Sequence, residues 1–159
     1  SNQVADGYAK RHVWNYYNRV MRPMRVIDTT NSWTYTTATW RQAQASTANQ
    51  LDLVCGVAQD GIDVFLNAHG NNSSANVQMS VAVGENSTSA TATGALIGRI
   101  DNTNTSSVEQ IVSSLRAIPA AGRNYYVWLE YSQAVGSTTW YGDVGAANIQ
   151  SGISGTWWG

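Results

Sequence analysis

Glu130 and Asp143 bracket the stretch of this chain whose residue types best suit sugar chemistry. Glycoside hydrolysis needs two carboxyl groups roughly 5–10 Å apart, one to protonate the leaving oxygen and one to act as nucleophile or base. Between these two acids lies YSQAVGSTTWYG, in which Trp140 and Tyr141 offer rings for stacking. An acid pair beside a stacking aromatic is one reading. A Glu and an Asp hydrogen-bonding at a sheet rim is the other. Tyr141 and Asp143 are two positions apart, so on a strand they project from one face, offering a ring and a hydroxyl acceptor together. Trp140 then points the opposite way, into a core, unless the strand is bulged. Trp140, Tyr141 and Asp143 are the candidate ligand contacts, and closing a sandwich is the alternative role for all three.

Other chemistries find less to work with. His12 and His69 are the two histidines, far apart and without a neighbouring pattern of metal ligands. A Ser-His-Asp arrangement needs only proximity in space, so His69 with Asp60 or Asp63 is a formal candidate. Asp101-Asn-Thr-Asn104 lacks the ligand spacing of a calcium loop. There is no Gly-rich phosphate cradle, no paired-cysteine motif and no nucleophile elbow, so no cofactor or metal is expected. Cys55 is the single cysteine and sits in the apolar run LDLVCGVA, which reads as a small core residue with no internal disulfide to make.

The elements that must position these residues read as strands. From Asn124 to Tyr131, Tyr125, Val127, Leu129 and Tyr131 alternate with Tyr126, Trp128 and Glu130. Period-two alternation with aromatic and β-branched residues predicts a strand. Both of its faces are largely aromatic or aliphatic, so the second face needs a cover: another sheet, a second subunit or a ligand. Ser132–Gly136 then reads as a turn and Ser137–Tyr141 as the return strand of a hairpin. Leu51–Ala58, Ile62–Ala68 and Val77–Val83 alternate in the same way, the first two around a tight Gln59-Asp60-Gly61 turn. Met24–Asp28, Ser32–Trp40, Ala95–Ile100 and Ile149–Trp158 are further strands. Trp33 and Trp40 fall on opposite faces of theirs. Residues 12–21 fit helical spacing but are rich in strand formers, and a strand is expected. Residues 108–118 carry a capping-box pattern at Ser106 and Glu109, yet again read as strand. Residues 41–50, 69–76 and 84–93 are polar loops. Nine or ten short strands at 8–12-residue spacing predict one all-β domain, an antiparallel sandwich or jelly roll.

Composition narrows the function. Only 12% of residues are charged and the net charge is −1, which argues against a general nucleic-acid or membrane binder. Ser, Thr, Asn and Gln make up about a third of the chain. The aromatics are seven Trp and eight Tyr against one Phe, side chains suited to half-wet surfaces. Residues 1–41 hold six cations and two acids, net +4, so the remainder is net −5. Pairing of the basic third with the acidic remainder, within or between chains, is the plain reading; an anion-binding arm is the other. No apolar stretch approaches the roughly 20 residues of a membrane span.

The run WNYYNRVMRPMRVIDTTNSWTYTTATWRQAQAS (14–46), with NQLDLVCGVAQDGIDV (49–64) and YVWLEYS…TTWYGD (126–143), resembles tailed-phage virion proteins. It is similar to the β-sandwich domains at the distal ends of tail fibres and related appendages. The resemblance implies a homotrimer carried on a virion, non-enzymatic, adhering to a host cell-surface polysaccharide. The start at Ser1 fits a distal fragment of a longer fibre. It marks no binding residue by motif. Two alternatives stand beside it: a carbohydrate-binding module of a secreted enzyme, and a capsule depolymerase domain.

Overall fold

Apolar residues two apart set the ladders. Leu51, Leu53 and Cys55, then Ile62, Val64, Leu66 and Ala68, then Met79, Val81 and Val83, all point into one core with Tyr126 and Trp128. A pleated strand sends alternate side chains to opposite faces, so each of these runs buries one face against a second layer. The computed structural model describes residues 7–17, 19–146 and 148–159. Residues 1–6, Asn18 and Ala147 lie outside the described residues, and with them the Ser1 start and the share of Asp6 in the N-terminal charge balance.

Among the described residues the strands are β1 (Lys10–Arg11), β2 (Met21–Ile27), β3 (Ser32–Tyr35), β4 (Arg41–Gln42), β5 (Gln50–Cys55) and β6 (Ile62–Asn72). Then come β7 (Val77–Glu85), β8 (Gly98–Asn102), β9 (Glu109–Ala117), β10 (Gly122–Ser132), β11 (Thr138–Tyr141) and β12 (Gly152–Trp158). Two short 3-10 turns, Ala43–Ala45 and Val144–Ala146, are the only helical pieces described. Sheet I has the order β1-β5-β10-β7-β8, with β4 continuing the β5 edge of β10. In sheet II, β6 has β9 on one side and β12 followed by β11 on the other, with β2 outside β12 and β3 outside β11. Every ladder is antiparallel except the two-residue parallel pair of β1 with β5. The two sheets stack as one sandwich, the all-β architecture expected from the alternation.

The core is filled by aromatics. Trp128, Trp140 and Trp157 are fully buried together with Tyr126. Each such ring removes on the order of 200 Å² from water, about 5 kcal/mol of transfer free energy. Trp33 adds an edge-on contact to Trp128, with ring centroids 5.6 Å apart. The second face of β10 is covered by the chain itself. Val127 and Leu129 are buried with Ala82 beneath Trp40 and Tyr125. Trp33 and Trp40 therefore do serve opposite faces, because the chain leaves sheet II after Tyr35 and reaches sheet I before Arg41.

Several local expectations are corrected. Residues 124–141 are not a hairpin. Strand β10 lies in sheet I, whereas β11 pairs with β6 and β3 in sheet II. Residues 133–137 cross the roughly 10 Å between sheets, and Ser132 Oγ meets Thr138 Oγ1 beneath them at 2.5 Å. The Gln59–Gly61 turn is likewise an arch, from β5 in sheet I to β6 in sheet II. Residues 12–17 and Arg19 form no strand, while Val20 exchanges backbone hydrogen bonds with Gly159 at the end of the β2–β12 ladder. Trp14 lies flat on Gly56, where a side chain would collide with it, while Tyr17 is 94% exposed. His69–Asn72 continue β6 instead of starting a loop. Residues 41–50 are not a solvated loop: Gln42 and Asn49 are buried, and Asn49 Nδ2 donates to Asp28 Oδ2 at 2.6 Å.

Candidate functional site

The outer face of sheet II carries a groove of about 900 Å³. Its floor follows directly from ladder register. Arg25 on β2 lies opposite Ser154 on β12, Ser154 opposite Phe65 on β6, and Phe65 opposite Ser114 on β9. The neighbouring row, two residues along each strand, is Pro23, Thr156, Asp63 and Arg116. These positions alternate with the buried Met24, Val64, Leu115 and Ile153, so parity alone sends them outward.

The first row also sets the walls. Beyond Arg25, its backbone N–H donates to Tyr8 O at 2.9 Å. Beyond Ser114, Leu96 closes the row through a bridge, with Leu96 N–H donating to Ser114 O at 2.8 Å. Tyr8 and Leu96 are both well exposed and stand at opposite rims. Each belongs to a segment that then leaves for the other sheet: Lys10 and Arg11 pair with β5, and Gly98 onward pairs with β7. The groove is thus a stretch of one sheet held between two seams of the sandwich.

Phe65 sits mid-floor and is 49% exposed. It is the only Phe in the chain, yet it is outside a core packed with the less apolar Trp and Tyr. Ser154 and Ser114 flank it in register, and Thr156 stands in the neighbouring row. Asp63 and Arg116 form an ion pair at 2.9 Å within the second row.

The structure separates the acids considered as a pair. Glu130 points into the sandwich with no solvent exposure, and its carboxylate takes hydrogen bonds from Trp33 Nε1 (2.7 Å), Arg41 Nε (2.7 Å) and Gln44 N–H (3.2 Å). Burial pushes its pKa up to about 7 against the pull of these donors. Asp143 is in the turn after β11, where its Oδ1 accepts Gly145 N–H at 3.0 Å. A substrate reaching Asp143 does not reach Glu130. The formal triad is also absent: Asp60 pairs with Arg19 at 2.9 Å and Asp63 with Arg116, while His69 Nδ1 lies 3.2 Å from Ser151 Oγ. Ser151 is buried, and its Oγ also accepts His69 N–H at 3.0 Å, so the pair staples β6 to the start of β12. Burial lowers the pKa of His69. No cluster of three or more metal-ligating side chains occurs among the described residues.

Of the candidate contacts, Trp140 is fully buried in the core, as its parity implied, and this removes it from any ligand-facing surface. Tyr141 is partly exposed on the outer face of sheet II, directly opposite His69 in the ladder, with its hydroxyl 3.4 Å from Asn71 Oδ1. His69 is four residues along β6 from Phe65, about 13 Å at the rise of a strand. Tyr141 and the groove therefore share one face. Phe65, Arg25, Ser154 and the two rims were not anticipated. The available signal was Phe65 itself, which falls at an outward position of the run IDVFLNA.

The basic N-terminal third pairs in part with the acidic remainder, through Arg19 with Asp60 and Arg41 with Glu130. The chain matches no protein-family model and no curated protein.

Proposed function

We propose that this chain is a non-catalytic adhesion domain that holds a glycan in the groove on the outer face of sheet II. The observation that carries this reading is Phe65, the lone phenylalanine, half-exposed at the centre of a walled floor and flanked in register by serine hydroxyls. An apolar ring set among a few convergent polar groups is what a ligand site needs: one surface to stack on, and fixed partners to orient hydroxyls. Leaving Phe65 in water forgoes its burial energy, which a stacked pyranose face would restore. Tyr141, farther along the same face, extends the surface for a longer chain.

The likeness to tail-fibre end domains supports placing this adhesion on a virion, as a homotrimer facing a host-surface polysaccharide. Exposed Val13, Tyr16, Tyr17, Val20 and Met21 leave an apolar strip for a neighbouring copy. The two-faced strand β10 does not add to that support, since its second face is covered within the chain.

The test is binding of Phe65→Ala to host cells or a polysaccharide array. The side chain stands on the surface, so the variant should fold as the parent does. At least a tenfold loss of binding is expected, in the range for removing a buried aromatic anchor. Unchanged binding by the folded variant would place the site elsewhere.

A further inference from the structure

Three charged side chains line the groove, and two cancel. Asp63 and Arg116 are opposite one another in the second row and form their own ion pair. Arg25, in the row of Phe65, is exposed, and among the described residues its guanidinium has no hydrogen-bond or ion-pair partner. Only its backbone is engaged, through the N–H donated to Tyr8 O. The groove therefore presents one uncompensated positive charge on a chain whose net charge is −1.

From this we infer that the groove selects an acidic glycan, one bearing carboxylates, with Arg25 receiving the carboxylate. The inference rests on the glycan reading above. Register places the base of the Arg25 side chain relative to Phe65. Arg25 and Phe65 are separated by Ser154 alone, two strand spacings or about 10 Å. At that backbone spacing, an acid on a residue neighbouring the stacked ring comes within reach of Arg25. A guanidinium presents two parallel N–H donors that match a carboxylate, which makes Arg the natural partner for such a group. With so little charge elsewhere on the chain, discrimination comes from this contact and not from long-range steering.

The experiment uses an array of bacterial surface polysaccharides, each printed in native form and after chemical reduction of its carboxylates to alcohols. Parent, Arg25→Gln and Phe65→Ala proteins are compared. The parent is expected to favour native acidic polysaccharides about three- to tenfold over their reduced forms, as for one partly exposed charge-assisted contact. Arg25→Gln should bind both forms equally, at the level of the parent on the reduced form. A parent that binds both forms alike, or an Arg25→Gln protein that keeps the preference, overturns the inference. If Phe65→Ala abolishes binding in either of those cases, the groove remains a glycan site without charge selection. If Phe65→Ala changes nothing, the glycan groove falls as well.

Discussion

Trp33 Nε1 donates to Glu130 Oε2 at 2.7 Å, from β3 in sheet II to β10 in sheet I. This bond links the two layers through a carboxylate that also takes the Arg41 guanidinium, which in turn lies 3.8 Å over the Tyr35 ring. A charge placed here loses its hydration, and the three donors return only part of it. The consequence is a titration near neutrality inside the sandwich.

Glu130 titrates near 4.5 when unfolded and at about 7 when folded. A raised carboxyl pKa means that the native state holds the proton more tightly. The stabilisation is fully present below pH 4.5 and is lost as pH rises through 7. Urea midpoints should therefore fall between pH 5 and pH 8, with about 3 kcal/mol at stake from this group. Glu130→Gln should flatten that slope. A parent midpoint that is level across the range, or an equal slope in the variant, would refute the assignment.

Asp52 behaves oppositely. Burial works to raise its pKa, but bidentate hydrogen bonds from Arg123 and a contact from His12 outweigh this, and the result is below its ordinary 3.8. Its stabilisation is present above pH 3.8 and disappears as pH falls through the lower native value. Arg123 is mostly in water, so Asp52→Asn should cost about 1–2 kcal/mol at pH 7. Thermal melts down to pH 2 should show parent and variant converging. A gap that stays constant would mean the ion pair contributes nothing.

Trp128→Ala should cost about 3–5 kcal/mol, as for a large aromatic removed from a packed core. Because Trp128 is enclosed within one chain, the folded variant should sediment with the same mass as the parent. A change of oligomeric state in the variant would point to an interface role for this residue.

Tyr141→Ala should weaken binding of long polysaccharides several-fold while leaving short oligosaccharides unaffected, since Tyr141 lies about 13 Å beyond Phe65 on the same face. Asp143→Asn should bind as the parent does, because its carboxylate is already engaged with Gly145 N–H. Isothermal titration with fragments of increasing length separates the two. Loss of short-fragment binding in either variant would move the site toward the end of β11.

Inward faces were legible in the sequence. Ile62 to Ala68 alternates because β6 has one fully buried face, and Val77 to Val83 alternates because the second, also buried, face of β7 carries the small Ser80 and Ala82. Strand β9 was legible despite a helix-capping pattern, since Ile111 and Leu115 fit period two as well as period four. The partner of each strand was hidden. An arch such as 133–137 and a hairpin turn have the same polar composition, and only the layer reached by Trp140 distinguishes them. Residues 12–17 misled because Tyr and Trp favour strands only when a neighbour pairs with them. The loop 41–50 misled because its polarity faces inward, with Asn49 answering Asp28 and Gln44 N–H answering Glu130. The groove was hidden because Leu96 and Tyr8, its rims, belong to no alternating run.

The two seams that wall the groove have a second effect. An unpaired strand edge is a template on which another chain can extend the sheet. At β2 the carbonyl of Tyr8 already takes the Arg25 N–H, and at β9 Leu96 exchanges backbone bonds with Ser114. Each of those edges is thus interrupted near its middle by a segment of its own chain. Packed together at high local density, copies of this chain would be kept from fusing there into continuous sheets, and would meet through side chains that can let go again.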